Sequence, residues 1–152
     1  MPDILDRQRL LTRTMDADAV NRVANDPSVR PFVGGEGVLD LTAVVRSPLN
    51  IVLWGDAGGF VWAWSAPATF EVHTLILPEG RGKWATRAAR EAMATMAATY
   101  EARHLWTRVR RDLTHVRRFA MAAGLQLCGE AWFDFGDGTR LYDILEWRTP
   151  CR

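Results

Sequence analysis

The alternation of apolar and polar residues in the middle of the chain predicts three antiparallel strands. Residues 50–54 and 60–65 are apolar segments that flank a turn at residues 56–59, a pattern typical of a β-hairpin. Residues 69–77 continue the alternation until Pro78 ends it. Further strands are predicted at residues 9–14 and 104–109, and a last hairpin joins the strands 126–133 and 140–147 around the turn at 136–138.

A second spacing, close to 3.6 residues, predicts helices between these strands. Asp16 is a suitable N-cap for a first helix that stops at Asp26. A last helix begins after Asp112 or Thr114 and ends before Gly124, which suits the C′ position. Its inner face is formed by Val116, Phe119, Ala120 and Ala123.

The longest helix is predicted from a stripe of small and flexible apolar residues. The stripe consists of Ala85, Ala88, Ala89, Ala92, Met93, Met96 and Tyr100. The same spacing places Arg87, Arg90, Glu91 and Glu101 on the outer side. Small residues on the inner face indicate close packing against a sheet.

The element order is therefore β-α-loop-β-β-β-α-β-α-β-β, with an irregular stretch at residues 27–48. Three antiparallel strands precede a β-α-β crossover, which is expected to be right-handed. We predict an α/β fold with a mixed, mostly antiparallel sheet and helices on both faces, in one domain spanning residues 1–152.

The composition is that of an ordinary globular protein. Of the 152 residues, 48% are hydrophobic and 24% are charged, and the formal net charge is +1. This balance argues against nucleic acid as a partner. Cys128 and Cys151 form no CxxC pair, so neither a metal site nor a disulfide is predicted. No segment has the length of a membrane span, and the charged Asp3, Asp6 and Arg7 do not fit a signal peptide, so we expect a cytoplasmic protein.

Residues 75–86 pass from a strand to the long helix through a glycine-containing loop. The first amides of a helix have no partner within the helix, and the helix dipole adds positive charge there. An anion such as a pyrophosphate is the natural ligand, with Arg81 and Lys83 at the rim. An ordinary strand–helix turn with a solvated basic pair is the alternative.

This segment resembles the coenzyme A loop of the GNAT superfamily of acetyltransferases, whose pattern is Gln/Arg-x-x-Gly-x-Gly/Ala. Arg81 matches the first position, whereas Trp84 and Thr86 stand where the family has glycine and glycine or alanine. Residues 107–125 are similar to a later strand–helix element of the family, with Gly124-Leu125 in place of Gly-Phe. The resemblance is closest to GNAT-like proteins of bacteriophages and prophages.

The resemblance implies a GNAT-like fold, acetyl-CoA as co-substrate and N-acyl transfer to an amine of a small molecule or a protein. The implied coenzyme-binding residues are Leu75, Ile76, Leu77, Arg81, Gly82, Lys83, Trp84, Ala85 and Thr86. It does not decide between a monomer and a homodimer, and a phage-encoded form would act in the host cytoplasm or in the virion. Ala120 stands where many members carry a tyrosine general acid, which favours a non-catalytic binding or structural protein as the alternative.

An amine must lose a proton before it attacks a thioester, so a general base is needed. Glu71 is the first candidate and His73 the second, because they share one face of the strand that feeds the loop. Both could instead be solvated surface residues. Backbone groups of residues 74–77 could pair with the pantetheine arm or bind an oxyanion, and Tyr142 is a substitute acid.

Two further features bear on the ligands. The loop at residues 29–39 is a candidate wall of an acceptor pocket. A basic cluster could contact the 3′-phosphate of the coenzyme or an acidic partner, including nucleic acid, or it could be a solvated face balanced by acids. The cluster consists of Arg108, Arg110, Arg111, Arg117 and Arg118.

Overall fold

The computed structural model describes residues 9–150, and within that range the elements follow the predicted order. The strands are β1 (Thr12–Arg13), β2 (Ile51–Gly55), β3 (Gly58–Ala66), β4 (Thr69–Ile76), β5 (His104–Arg110), β6 (Gln126–Asp134) and β7 (Thr139–Arg148). The helices are α1 (Ala17–Ala24), α2 (Thr42–Arg46), α3 (Lys83–Ala98) and α4 (Thr114–Ala122). Short 3-10 turns lie at Arg30–Phe32 and Pro78–Gly80. The expectations for Asp3, Asp6, Arg7 and Cys151 fall outside the described residues.

The strands form one sheet in the order β1-β2-β3-β4-β5-β7-β6. Neighbouring strands are antiparallel except β4 and β5, which are parallel and joined by α3. The backbone pairing of β4 with β5 covers only the first three residues of each strand, Thr69 with His104 through Glu71 with Trp106. The predicted mixed, mostly antiparallel sheet is therefore confirmed.

Helices cover both faces of the sheet, as predicted, and each face has its own core. The alanine stripe of α3 and the inner face of α4 pack on one face, against a cluster that includes Leu53, Phe60, Trp62, Val72, Leu105 and Leu145. Helices α1 and α2 pack on the other face over β2, β3 and β4, where Val20, Val23, Val45, Val52, Val61 and Leu75 are buried. The second face of β5, β7 and β6 contributes to neither cluster.

Local details differ from the sequence expectations. The stretch 27–48, predicted as irregular, contains α2, whose single buried residue Val45 gives no periodic pattern. Gly58 and Gly59 belong to β3 rather than to the turn. An added Cβ on Gly58 would lie 2.1 Å from the carbonyl oxygen of Leu75, so only glycine fits there.

Three predictions about polar side chains were wrong. Glu101 is not on the outer side of α3, because the helix ends at Ala98. Glu91 does not lie on the outer side of α3, because its carboxylate accepts hydrogen bonds from the amides of Leu10 (2.9 Å) and Leu11 (3.0 Å). Leu113, rather than Asp112 or Thr114, occupies the N-cap position of α4, and no side chain caps it. The predicted N-cap Asp16 is confirmed, since it accepts from the amide of Ala19 at 3.1 Å.

None of the helices between residues 9 and 150 is long and apolar enough to cross a membrane.

Candidate functional site

Strands β4 and β5 diverge beyond the pair Glu71–Trp106 and leave a gap in the centre of the sheet. At the start of the gap the hydroxyl of Thr107 donates to the carbonyl of Val72 at 3.1 Å. Because backbone groups of alternate residues point to the same side of a strand, those of Thr74 and Ile76 also face the gap. The amide of Leu77 instead donates to Ala57 at 2.9 Å. The carbonyl of Ile76 accepts from Nε of Arg81 at 3.4 Å, so of the predicted residues 75–77 only Ile76 faces the gap, with its amide left for a ligand.

The gap opens into a cleft of about 1470 Å³ that is lined from both faces of the sheet. Its lining includes residues 71–76 of β4, residues 107–110 of β5, the first turn of α3, several residues of α4 and the tip of the β6–β7 hairpin. A channel through the sheet can bring two ligands together, one from each face. The predicted residues Arg81, Gly82, Ala85 and Thr86 all line this cleft.

The first turn of α3 lies at the mouth of the cleft. Gly82 occupies the N-cap position with φ of +95°, a conformation that favours glycine. Thr86 makes the first hydrogen bond of the helix, to the carbonyl of Gly82 at 3.1 Å. Within the described residues, the amides of Lys83, Trp84 and Ala85 have no hydrogen-bond acceptor. These three amides and the dipole of a 16-residue helix are a candidate anion site.

The indole of Trp84 does not cover these amides. It is partly buried in the core beneath α3 and does not line the cleft. Gly55 and Gly80 leave room for the ring, since an added Cβ would lie 2.9 Å and 3.1 Å from it, respectively. The departure from the family pattern at this position therefore leaves the mouth open.

Arg81 ties the first turn of α3 to the loop after α1. Its Nη2 donates to the carbonyl of Ser28 at 2.6 Å, and its guanidinium lies 5.7 Å from the centre of the Phe32 ring. The loop of residues 29–39, here called the roof loop, lines the cleft as predicted. Phe32 makes an edge contact with His115 of α4 at 5.7 Å, so the roof loop reaches across to α4.

Glu71 and His73 both line the cleft, side by side on β4, but their surroundings differ. Glu71 is 9% exposed, and its two carboxylate oxygens accept from Nε and Nη2 of Arg108, each at 3.0 Å. His73 Nε2 lies 3.6 Å from the same carboxylate, and its side chain is 47% exposed in the cleft. Loss of bulk hydration lowers the pKa of His73 below its ordinary value; the charge of Glu71 opposes this shift and that of Arg108 adds to it.

Arg108 was missed as a partner of Glu71 in the sequence analysis. Its guanidinium lies near three aromatic rings, here called the aromatic cage: Trp106 at 5.4 Å, Phe133 at 4.6 Å and Phe135 at 4.9 Å. The alternation along β5 indicates this position, because it places Trp106 and Arg108 on the face opposite Leu105 and Val109. With β4 as the parallel neighbour, Arg108 comes within reach of Glu71.

Most of the basic cluster is balanced by acids. Arg110 pairs with Asp112 at 2.6 Å, and Arg117 pairs with the buried Asp143 at 2.8 Å. Arg111 pairs with Asp143 at 2.7 Å and also with Glu130. Together with Arg108, four of the five arginines are thus held in ion pairs, whereas Arg118 lines the cleft without an ion pair among residues 9–150.

Tyr142 lines the cleft on β7 and is 8% exposed. It makes edge contacts with Phe133 at 5.6 Å and Phe135 at 5.5 Å. Burial raises the pKa of its hydroxyl, and the nearby Asp137 adds to this shift, so the group keeps its proton at neutral pH. Ala120 is buried in α4 at 7% exposure and offers no acid.

Comparison with solved structures identifies the fold. The chain superposes on a GNAT-family acetyltransferase from Bacillus anthracis with a TM-score of 0.67 and 14% identity, covering 92% of this chain and 95% of that one. Spermidine N-acetyltransferase from Vibrio cholerae, in complex with CoA and spermine, gives 0.69 at 12% identity over 91% and 95%. RimJ from Mycobacterium smegmatis, in complex with CoA-disulfide, gives 0.70 at 15% identity over 92% and 86%.

These matches show that the chain has the fold of the GNAT-family acetyltransferases, as the resemblance implied. Comparison of the sequence with protein-family models and with curated proteins gives no match.

Proposed function

We propose that this protein is an acyl-CoA-dependent N-acyltransferase that uses acetyl-CoA and acetylates an amine of a small molecule or a protein. The observation that carries the proposal is the first turn of α3, whose amides at residues 83–85 are unpaired and whose residues Gly82, Ala85 and Thr86 line the cleft into which the gap between β4 and β5 opens. A pyrophosphate at these amides directs an extended arm into the gap. The backbone groups of Thr74 and the amide of Ile76 there can pair with the pantetheine, while the carbonyl of Ile76 accepts from Nε of Arg81 at 3.4 Å.

The chemistry requires the amine nitrogen to bond to the thioester carbon while the C–S bond breaks. One proton leaves the amine and one reaches the departing thiolate. Glu71 or His73, at the inner end of the gap, accepts the first proton. Tyr142 supplies the second, because its hydroxyl stays protonated and its side chain lines the cleft. The acceptor enters beneath the roof loop, on the face opposite α3.

Acetyl-CoA binding and turnover test the proposal separately. Acetyl-CoA at a hundredfold excess over its Kd stabilises a protein that binds it by about 2.7 kcal/mol, which thermal denaturation detects. Release of free CoA thiol is then followed with an amine panel that includes spermidine and peptides with free N-termini. Absence of a thermal shift at millimolar acetyl-CoA would contradict the coenzyme site.

A non-catalytic GNAT-fold binding or structural protein is the second candidate. It is favoured by the engagement of both Glu71 oxygens with Arg108 and by the lack of an acid at Ala120. This candidate predicts acetyl-CoA binding without thiol release for any amine, or no binding at all.

We also propose a cytoplasmic location. From the resemblance in sequence we propose a phage or prophage origin, in which case the protein acts in the host cytoplasm or in the virion. Homodimer formation stays a prediction as well. Light scattering during gel filtration measures the mass of the assembly directly and decides between one and two copies of the 17.1 kDa chain.

A further inference from the structure

The guanidinium of Arg108 has two kinds of partner at once. Its Nε and Nη2 each donate to one oxygen of Glu71 at 3.0 Å, the paired geometry that gives strong charge-assisted hydrogen bonds. The aromatic cage lies around the same group, with the Phe133 ring centre 4.6 Å away. Aromatic faces attract a cation, so the cage favours this position of the guanidinium.

The pair lies where β4 and β5 begin to separate. Glu71 and Trp106 form the last backbone pair, and Arg108 is two residues further along β5. Its side chain therefore links the two strands where backbone pairing has stopped, next to the bond from Thr107 to Val72. The ion pair fixes Glu71 at the inner end of the gap.

This arrangement limits what Glu71 can do. A proton on either carboxylate oxygen would remove one charge-assisted hydrogen bond and the counter-charge of Arg108. A buried pair that loses one charge leaves the other uncompensated, which is costly. Glu71 is only 9% exposed and each of its oxygens already accepts from Arg108, so a proton taken from an acceptor amine would weaken this pair.

His73 has the opposite properties. Its side chain is 47% exposed in the cleft, and its one ion-pair partner among residues 9–150 is the Glu71 carboxylate at 3.6 Å. The residues paired with β4 beside it, Val61 and Ala63 on β3, are apolar. The charged groups that act on the imidazole are Glu71 on β4 and Arg108 on β5.

We propose that Arg108 is a positioning residue: it holds Glu71 as an ionised neighbour, so that His73, and not the carboxylate, accepts the proton of the acceptor amine. The role given to His73 rests on the proposed function. The arrangement of the three side chains does not, and it can be tested on the protein without any substrate.

The test is an NMR titration of the His73 imidazole in the wild type, in Arg108→Gln and in Glu71→Gln, with His73→Gln used to assign the resonance. We expect the midpoint to move upward in Arg108→Gln, because a repelling positive charge is removed while Glu71 remains. We expect it to move downward in Glu71→Gln, because the attracting charge is removed while Arg108 remains. Arg108→Lys keeps the charge, so its midpoint stays near that of the wild type.

A purely structural role gives a different result. If either variant only loosens the cleft, His73 becomes better hydrated and its midpoint moves upward in both. Shifts in the same direction, no shift in either variant, or an equal shift in Arg108→Lys and Arg108→Gln would each overturn the proposal. Arg108→Met, which also removes the charge, serves where Arg108→Gln does not fold, and the same upward shift is expected. Failure to bind acetyl-CoA would contradict the proposed function. The titration instead tests the position of Arg108, and it does so whether or not the coenzyme binds.

Discussion

The indole of Trp84 packs against Gly80, where an added Cβ would lie 3.1 Å from the ring. Gly80 thus makes room for a bulky side chain at Trp84, in the loop that is expected to hold a pyrophosphate. The ring belongs to the core beneath α3, while the amide of the same residue has no acceptor among the described residues. The side chain stabilises the loop, and the backbone is left for the ligand.

Replacing Trp84 with the glycine of the family pattern should therefore harm the fold without improving the site. We expect Trp84→Gly to lower the free energy of unfolding by about 3 kcal/mol, because a large, partly buried ring is lost. Trp84→Phe keeps most of the packing and should cost less. Urea denaturation measures both, and calorimetry with acetyl-CoA measures affinity. If the folded Trp84→Gly protein bound acetyl-CoA more tightly than the wild type, this would show that the indole restricts the mouth of the cleft.

Gly82 provides a test of the loop backbone. Its φ of +95° is strained for any residue with a side chain, although the space around it is open. Gly82→Ala should lose about 1–2 kcal/mol of stability or re-aim the amides of residues 83–85, and should weaken acetyl-CoA binding. Gly129→Ala is the matched control, because Gly129 also has open space but no positive φ. Equal affinity in the two variants would argue against an anion site at this turn.

The element order and the mixed sheet could be predicted because each strand and long helix has its own local pattern. The alternation along β4 and the alanine stripe of α3 need only neighbours in sequence to be visible. Helix α2 could not be predicted, since five residues with one buried side chain leave no period. The hydrogen bond from the amide of Leu10 to the carboxylate of Glu91 was missed for a related reason, because it joins residues 81 positions apart.

The candidate site was predictable in part. Glu71, His73 and the first turn of α3 are close in sequence to the loop that defines the site, so one strand–helix element contained them. Arg108 comes from a different strand, and its role depends on β5 lying next to β4 and on the hairpin that supplies Phe133. That information is tertiary, and the charge pattern of the basic cluster alone suggested contact with the 3′-phosphate or an acidic partner, or a solvated face, but no ion pair with Glu71.

Asp143 links the sheet to α4 and should control stability in acid. The side chain is 2% exposed, and its oxygens accept from Arg111 and Arg117 at 2.7 and 2.8 Å. Burial acts to raise the pKa of Asp143, but the hydrogen bonds and charges of the two arginines outweigh it and hold the pKa below its ordinary value. Its stabilisation is therefore present above about pH 4 and is lost as the pH falls through the folded pKa.

We expect Asp143→Asn to lower stability at pH 7 by about 2 kcal/mol, since two partly exposed arginines lose their counter-charge. The variant should also lose less stability than the wild type when the pH is lowered from 5 to 3. Denaturant unfolding across this range measures both effects. Asp112→Asn, which removes an exposed surface partner of Arg110, is the control and should cost less than 1 kcal/mol. Parallel pH curves for the wild type and Asp143→Asn would contradict the assignment.

His73 should set the acid limb of the reaction with any amine that the protein accepts. The imidazole must be neutral to take a proton, and its pKa lies below the ordinary value for histidine. The value of kcat/KM should therefore fall only when the pH drops below the pKa of an unperturbed histidine. His73→Gln should lower kcat by about a hundredfold or more and leave the affinity for acetyl-CoA unchanged. His115→Gln removes another histidine from the same cleft and should keep the acid limb of the wild type. A His73→Gln variant with normal kcat would show that the proton leaves by another route, through water or through Glu71 after Arg108 has moved away.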